Sequence, residues 1–100
     1  MAWRNTPATD CAEYAHAVRN GMAERGVESN LVTYTVSCND PLPQVRRHQV
    51  VMYFVGHECW MMDNAGRKPV WVGMDTDPLT QRLEQFHAGA WVHIAFVVVE

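Results

Sequence analysis

The segment HQVVMYFVGHECWMMDN, residues 48–64, predicts a β-hairpin at the centre of the fold. Its first half carries apolar side chains at both odd and even positions, as expected of an interior strand with both faces covered. The VGHE stretch has the composition of a tight turn, because Gly56 can adopt positive φ without steric cost. Residues 59–63, CWMMD, then form the return strand. Pairing around Gly56 makes partner positions sum to about 112, which places His48 opposite position 64, give or take one.

A helix is predicted before the hairpin, in TDCAEYAHAVRNGMAERG, residues 9–26. Asp10 is the expected N-cap and Glu13 completes a capping box, so Cys11 becomes the first helical residue. Apolar residues then recur at helical spacing, which puts Cys11 on the buried stripe of this helix. Gly26 follows the end of the helix, at the position where a residue in the left-handed conformation is favoured.

The remaining segments complete a single α+β domain spanning residues 1–100. Further strands are predicted from β-branched and aromatic runs: 30–38, 69–74 and 90–99. A second helix is expected to begin at Asp77-Pro78 and to end at Gly89. Residues 39–47 read as a proline-containing loop. We therefore expect the N-terminal helix, which carries Cys11, to pack on a mostly antiparallel sheet.

Composition restricts the classes of function. The formal net charge is -3, and the basic residues form only short pairs, so no nucleic-acid partner is expected. The N-terminus lacks a secretory h-region and the apolar runs have only strand length, which argues against a leader peptide and against a membrane partner. Three cysteines in such a chain indicate reduced thiols and a cytoplasmic location. His57, Cys59 and Cys38 lack paired ligand spacing, so we expect neither a metal nor a cofactor.

The chemistry is concentrated in three residues. A thiol at a helix N-terminus is stabilised as thiolate by the helix dipole and by unpaired backbone N–H groups, and the thiolate is the nucleophile. Catalysis of amide chemistry also needs an imidazole and a group that orients it. Asp63 and Asn64 both lie within cross-strand reach of His48. We prefer Asp63, because a carboxylate also stabilises an imidazolium ion.

These residues carry a resemblance to a known family. The helix DCAEYAHAVRNGMAERGV resembles the D-C-x-x-Y-A helix of the bacterial transglutaminase-like cysteine proteinases. RHQVVMYFV is similar to the family's histidine strand, and CWMMDN to its next strand, which ends in Asp-Asn. The resemblance covers roughly residues 9 to 64. It implies a papain-like fold with a catalytic triad of Cys11, His48 and Asp63.

The implied activity is that of a cysteine-dependent amide hydrolase or acyltransferase, which acts on a peptide or protein through a thioester. The chain departs from the family pattern in its short segment before Cys11, where an oxyanion-hole side chain is usual. Trp3 or Asn5 would have to substitute, beside the Cys11 backbone N–H. The alternative function is a catalytically inactive papain-like binding protein of phage or mobile-element origin. A homodimer is also expected, through residues 91–99 or the Trp71 region.

Each candidate also has an ordinary structural interpretation. Cys11 could be a small buried hydrophobe, and His48 a histidine at a strand end. The Asp63-Asn64 pair could be turn chemistry. The helix start and the hairpin together favour the functional interpretation, with His93 as a reserve candidate for the base. The histidines on the predicted helices are expected to be exposed: His16 and His87.

Overall fold

One antiparallel sheet with a helix on each face makes up the described part of the chain. The computed structural model describes residues 8–38, 42–87 and 92–100, with side chains from Cys11 onward. The elements are α1 (Ala8–Glu24), β1 (Asn30–Cys38), β2 (Gln44–Val55), β3 (Glu58–Met62), β4 (Val70–Met74), α2 (Leu79–Phe86) and β5 (Val92–Val99). The strand order is β4-β3-β2-β1-β5, and every neighbouring pair is antiparallel. The predicted α+β class is confirmed.

Helix α1 begins earlier than expected. Its first residue is Ala8, so Asp10 lies inside the helix and Cys11 is the fourth helical residue, not the first. Ala8 follows a proline in the sequence, and proline is well tolerated at the start of a helix. The C-terminal end agrees with the prediction: Gly26 has φ +77°, with Gly26 N–H donating to Ala23 O and Val27 N–H to Met22 O. This pair of bonds is the Schellman motif.

The two helices cover opposite faces of the sheet. Ala15 of α1 packs on Leu31 and Val51, whereas Leu83 of α2 belongs to a larger cluster. The larger cluster contains, among others, Val32, Tyr34, Val50, Met52 and Met61. Because successive residues of a strand point to opposite faces, Leu31 and Val32 define two sides. We call these the α1 face and the α2 face.

Strand β2 is longer than the sequence indicated. It begins at Gln44, so residues 44–47, expected as part of a loop, pair with β1 instead. Val45 in this segment is 70% exposed. The segment therefore lacks the pattern of a buried strand, and the sequence did not predict it as one. Strand β3 pairs with β2 only from Val51 to Val55. The β2 edge that carries His48 therefore extends past the end of the β3 ladder.

The C-terminal elements differ from expectation in their caps. Pro78, with ψ 141°, occupies the N-cap position of α2. Asp77 accepts a hydrogen bond from the Met74 N–H at 2.8 Å, so its carboxylate caps the β4 turn and not the helix. Gly89, the expected helix stop, lies outside the described residues, as do positions 39–41 and 90–91. None of the described helices combines the length and apolar character needed to cross a bilayer.

Candidate functional site

His48 and Asp63 form a direct pair. The distance from His48 Nε2 to Asp63 Oδ2 is 2.9 Å. The observed β2–β3 partners, such as Val51 with Met62, sum to one more than the expected register, within its stated tolerance. Asp63 is the first residue beyond this ladder, where its carboxylate can turn toward His48. Asn64, the other candidate, contributes its backbone carbonyl to Arg67 Nε at 3.4 Å.

The second Asp63 oxygen is held by a backbone turn. Asp63 Oδ1 accepts hydrogen bonds from the N–H groups of Ala65 at 3.2 Å and Gly66 at 3.1 Å. Burial acts to raise the pKa of Asp63, but the hydrogen bond from His48 and these backbone donors outweigh it, so the pKa is lowered overall. The carboxylate is therefore ionised at neutral pH. Since a carboxylate only accepts, His48 Nε2 is the donor in this hydrogen bond.

Two further residues that the sequence did not single out complete a buried cluster. Tyr34 Oη lies 2.6 Å from His87 Nε2. The ring centroids of Tyr34 and His87 lie 5.8 Å and 6.0 Å from that of His48, in edge-to-face arrangements. Tyr34 also faces His48 across the β1–β2 ladder. We call Tyr34, His48, Asp63 and His87 the polar cluster.

The expectation that His87 is exposed is wrong, because its residue exposure is 3%. His87 follows the last turn of the short helix α2, and its N–H bonds to carbonyls of that turn. Its ring is thereby fixed over the α2 face. The β1–β2 register would have been needed to predict Tyr34 as a neighbour, and no local pattern supplies it.

Burial keeps the second pair of the polar cluster neutral. Burial, followed by the charges of Asp63 and Cys11, raises the pKa of Tyr34 well above its usual range. Burial and the charge of His48 lower the pKa of His87 to about 4, with Asp63 opposing. At pH 7 the Tyr34–His87 pair therefore adds no charge beside the His48–Asp63 pair.

Cys11 and His48 start from opposite faces of the sheet. Cys11 is 6% exposed and lies one helical turn before Ala15, which packs on the α1 face. The His48 side chain shares the α2 face with Tyr34, its cross-strand partner. The triad that the resemblance implies requires these two side chains to meet, whereas the structure places them on opposite faces of the sheet.

Both residues nevertheless line one pocket, which lies between α1 and strands β1 and β2. The pocket has a volume of about 290 Å³, and its lining includes Cys11, His16, Thr33, Arg47, His48 and Gln49. The turn after β3 connects the two sides: Arg67 lies with its guanidinium carbon 5.8 Å from the Tyr14 ring centre of α1. The Arg67 N–H also donates to the Asp63 carbonyl at 2.9 Å. The same turn therefore touches α1 and carries the partner of His48.

The other predicted site residues are placed differently. Trp3 and Asn5, the oxyanion candidates, lie outside the described residues. His93, the reserve base, is exposed on β5. The Cys59 sulfur accepts a hydrogen bond from buried Arg82 at 3.2 Å and belongs to the core of the α2 face. His57 pairs with Asp75 at 2.9 Å on the surface, away from the polar cluster.

Comparison with known proteins gives no relative: no protein-family model, no curated protein and no solved structure matches this chain. A function must therefore be argued from the polar cluster and its pocket.

Proposed function

We propose that the chain is a papain-like, transglutaminase-like cysteine hydrolase or acyltransferase, with Cys11 as nucleophile and His48 as general base. The observation that carries the proposal is the 2.9 Å contact between His48 Nε2 and Asp63. His48 is also one of the residues that line the Cys11 pocket. An imidazole whose one nitrogen is held by a carboxylate presents the other nitrogen as a base. The order of the three residues along the chain supports the same assignment through the family resemblance.

The proposed reaction has two steps. The Cys11 thiol gives its proton to His48 Nδ1, and the thiolate attacks an amide carbonyl of a peptide or protein. The carbon–nitrogen bond then breaks, the departing amine takes the proton from His48, and a thioester remains on Cys11. Water or a second amine, deprotonated by His48, attacks the thioester and restores the thiol.

Asp63 has a supporting role in this scheme. Its carboxylate stays ionised, fixes the imidazole tautomer and stabilises the imidazolium ion that forms. The two backbone N–H groups on its other oxygen keep it ionised in a partly buried place. Asp63 therefore needs no protonation during turnover.

A binding protein without catalysis is the second candidate, and one observation favours it. Cys11 is almost fully buried, and the His48 side chain lies on the face of the sheet opposite to α1. Proton transfer requires the His48 ring and the Cys11 sulfur to come within hydrogen-bond reach, an arrangement that substrate binding can complete. If they never do, the pocket is a recognition site only.

Alkylation of the folded protein separates the two candidates. Iodoacetamide labelling followed by intact mass and peptide mapping is expected to modify Cys11 before Cys38 and Cys59 at about pH 6. Because His48 is the proton acceptor, His48→Asn should slow Cys11 labelling by at least about tenfold. His16→Asn is the matched control, because His16 is an exposed residue of α1 that lines the same pocket. This variant should leave the rate of Cys11 labelling unchanged.

The result that removes the enzyme proposal is equally specific. Circular dichroism first confirms that each variant is folded under the labelling conditions. Labelling of all three cysteines at one rate, or labelling of Cys11 only after unfolding, would leave the binding protein as the function. So would an unchanged Cys11 rate in folded His48→Asn.

A further inference from the structure

Part of the α1 face is not covered by α1. Beside the helix, side chains from β1, β2 and β5 line a groove of about 300 Å³. The lining residues are Thr33, Tyr34, Thr35, Arg47, Phe96 and Val98. We call them the β5 groove. Its floor is polar at the two threonines and apolar toward the sheet edge.

The β5 groove adjoins the pocket of the proposed nucleophile. Thr33 and Arg47 line both spaces, so the groove lies between the Cys11 pocket and β5. A substrate whose reactive carbonyl lies at Cys11 would meet this groove with the adjoining part of its chain. The groove is therefore placed to select substrates.

Phe96 has an unusual position in the groove. Its side chain is 84% exposed, and its φ is +53° where the β1–β5 register shifts between Thr33 and Thr35. A left-handed backbone is unfavourable for a phenylalanine and acceptable for glycine. An aromatic ring that contributes little burial is thus held out over the groove in a strained conformation, as occurs at binding surfaces.

Arg47 is the charged residue among those lining the β5 groove, and it is exposed. It also lines the Cys11 pocket, whose lining includes the acidic residue Glu100. A guanidinium favours a carboxylate over an ammonium group at the same distance. Arg47 therefore suits a carboxylate of a peptide, and the apolar end of the groove, formed by Phe96 and Val98, suits an apolar side chain of the same peptide.

We propose that the β5 groove binds the acyl side of a peptide substrate, with a carboxylate beside Arg47 and an apolar side chain against Phe96 and Val98. This inference rests on the proposed function, because it takes the acyl group at Cys11 as its starting point. The substrate class is then an acidic peptide segment that also carries an apolar residue.

Peptidyl vinyl sulfones test the charge preference. Ac-Leu-Glu-Gly-vinyl sulfone and its Lys analogue are compared by the rate at which they label Cys11. The Glu probe should react at least about fivefold faster, and Arg47→Glu should reverse the order, since one favourable charge contact is worth about that factor. Arg46→Glu is the matched control, because Arg46 is adjacent on β2 but points to the other face, and it should leave the ratio unchanged.

Phe96→Gly tests the aromatic contact against a purely structural role. Relief of the positive φ should raise the melting temperature by about 3 °C. The same variant should slow labelling by the Leu-containing probes several-fold, while iodoacetamide labelling stays unchanged. A structural role alone would leave probe labelling as fast as in the wild-type protein.

Amide NMR with the non-reactive peptides Ac-Leu-Glu-Gly-NH2 and Ac-Leu-Lys-Gly-NH2 separates failure of the groove from failure of the nucleophile. Shifts at Thr33, Thr35 and Phe96 that are larger for the Glu peptide support the groove even if no probe labels Cys11. In that case only the catalytic proposal is lost. Equal labelling by the two probes, or equal or absent shifts with the two peptides, overturns the groove proposal.

Discussion

At the scale of single residues, His87 makes folding sensitive to acid. Burial and the neighbouring His48 lower the pKa of His87 from 6.5 to about 4. Below about pH 6.5, His87 is protonated in the unfolded chain but stays neutral in the folded chain until the pH approaches 4. The free energy of unfolding therefore decreases as the pH falls from 6.5 toward 4. The full loss is about 3 kcal/mol from this residue. Urea unfolding at pH values between 7.5 and 4.5 measures it.

Asp63 acts in the same direction at lower pH. Its lowered pKa contributes stability above the ordinary range for an aspartate, and this is lost as the pH falls through the folded-state value. His87→Gln separates the two effects, because glutamine accepts the Tyr34 hydrogen bond but does not titrate. His16→Gln, on exposed α1, should retain the wild-type acid dependence. If His87→Gln loses as much stability as wild type between pH 6.5 and 4.5, the assignment to His87 is wrong.

At the scale of elements, the end of β4 depends on a glycine. Gly73 has φ +133°, and a Cβ there would lie 2.6 Å from Asp77 Oδ2. That carboxylate oxygen accepts the Met74 N–H that closes the turn into α2. Gly73→Ala should therefore lower the free energy of unfolding by about 1–3 kcal/mol, from backbone strain and displacement of Asp77.

Gly21→Ala is the matched control for this prediction. Gly21 lies within α1, and a Cβ there would meet nothing within 4 Å. The alanine should raise stability by about 0.5–1 kcal/mol, because it favours the helix more than glycine does. Thermal unfolding of the two variants compares them directly, and equal effects would contradict the proposed role of Gly73.

Local sequence patterns predicted the helices, strands and turns well, but they did not predict how these elements pack on one another. Strand β1 has the predicted bounds, and Gly26 and Gly56 have the predicted positive φ, since these features depend on a few adjacent residues. The hairpin register was enough to place Asp63 beside His48. The side of the sheet that α1 covers could not be predicted, because β2 is apolar on both faces around Val50 and Val51. That single ambiguity separates the expected site from the observed one.

At the scale of the whole molecule, the exposed strand edges predict self-association. Strand β5 lies at one edge of the sheet, with Val98 and Val99 52% and 46% exposed. Strand β4 lies at the other edge, with Trp71 44% exposed. Because an edge strand presents unpaired hydrogen-bonding groups beside apolar side chains, we expect a homodimer through one of these edges.

Sedimentation velocity of variants locates the interface. Val99→Lys should dissociate a dimer formed through β5, whereas Val70→Lys should dissociate one formed through the Trp71 region. A wild-type protein that sediments as a monomer at about 200 µM would rule out the dimer, since apolar edge pairing of standard size is stable well below that concentration.

The position of β1 in the sheet also has a consequence for the order in which the chain is made. Strands β1 to β4 pair with their sequence neighbours and can form hairpins as they leave the ribosome. β5 pairs with β1 across a much longer separation, from Cys38 to Val92 at its shortest. Until β5 emerges, the edge of β1 that β5 covers remains unpaired and rich in valine and tyrosine, so the growing chain is most prone to aggregate before β5 is available.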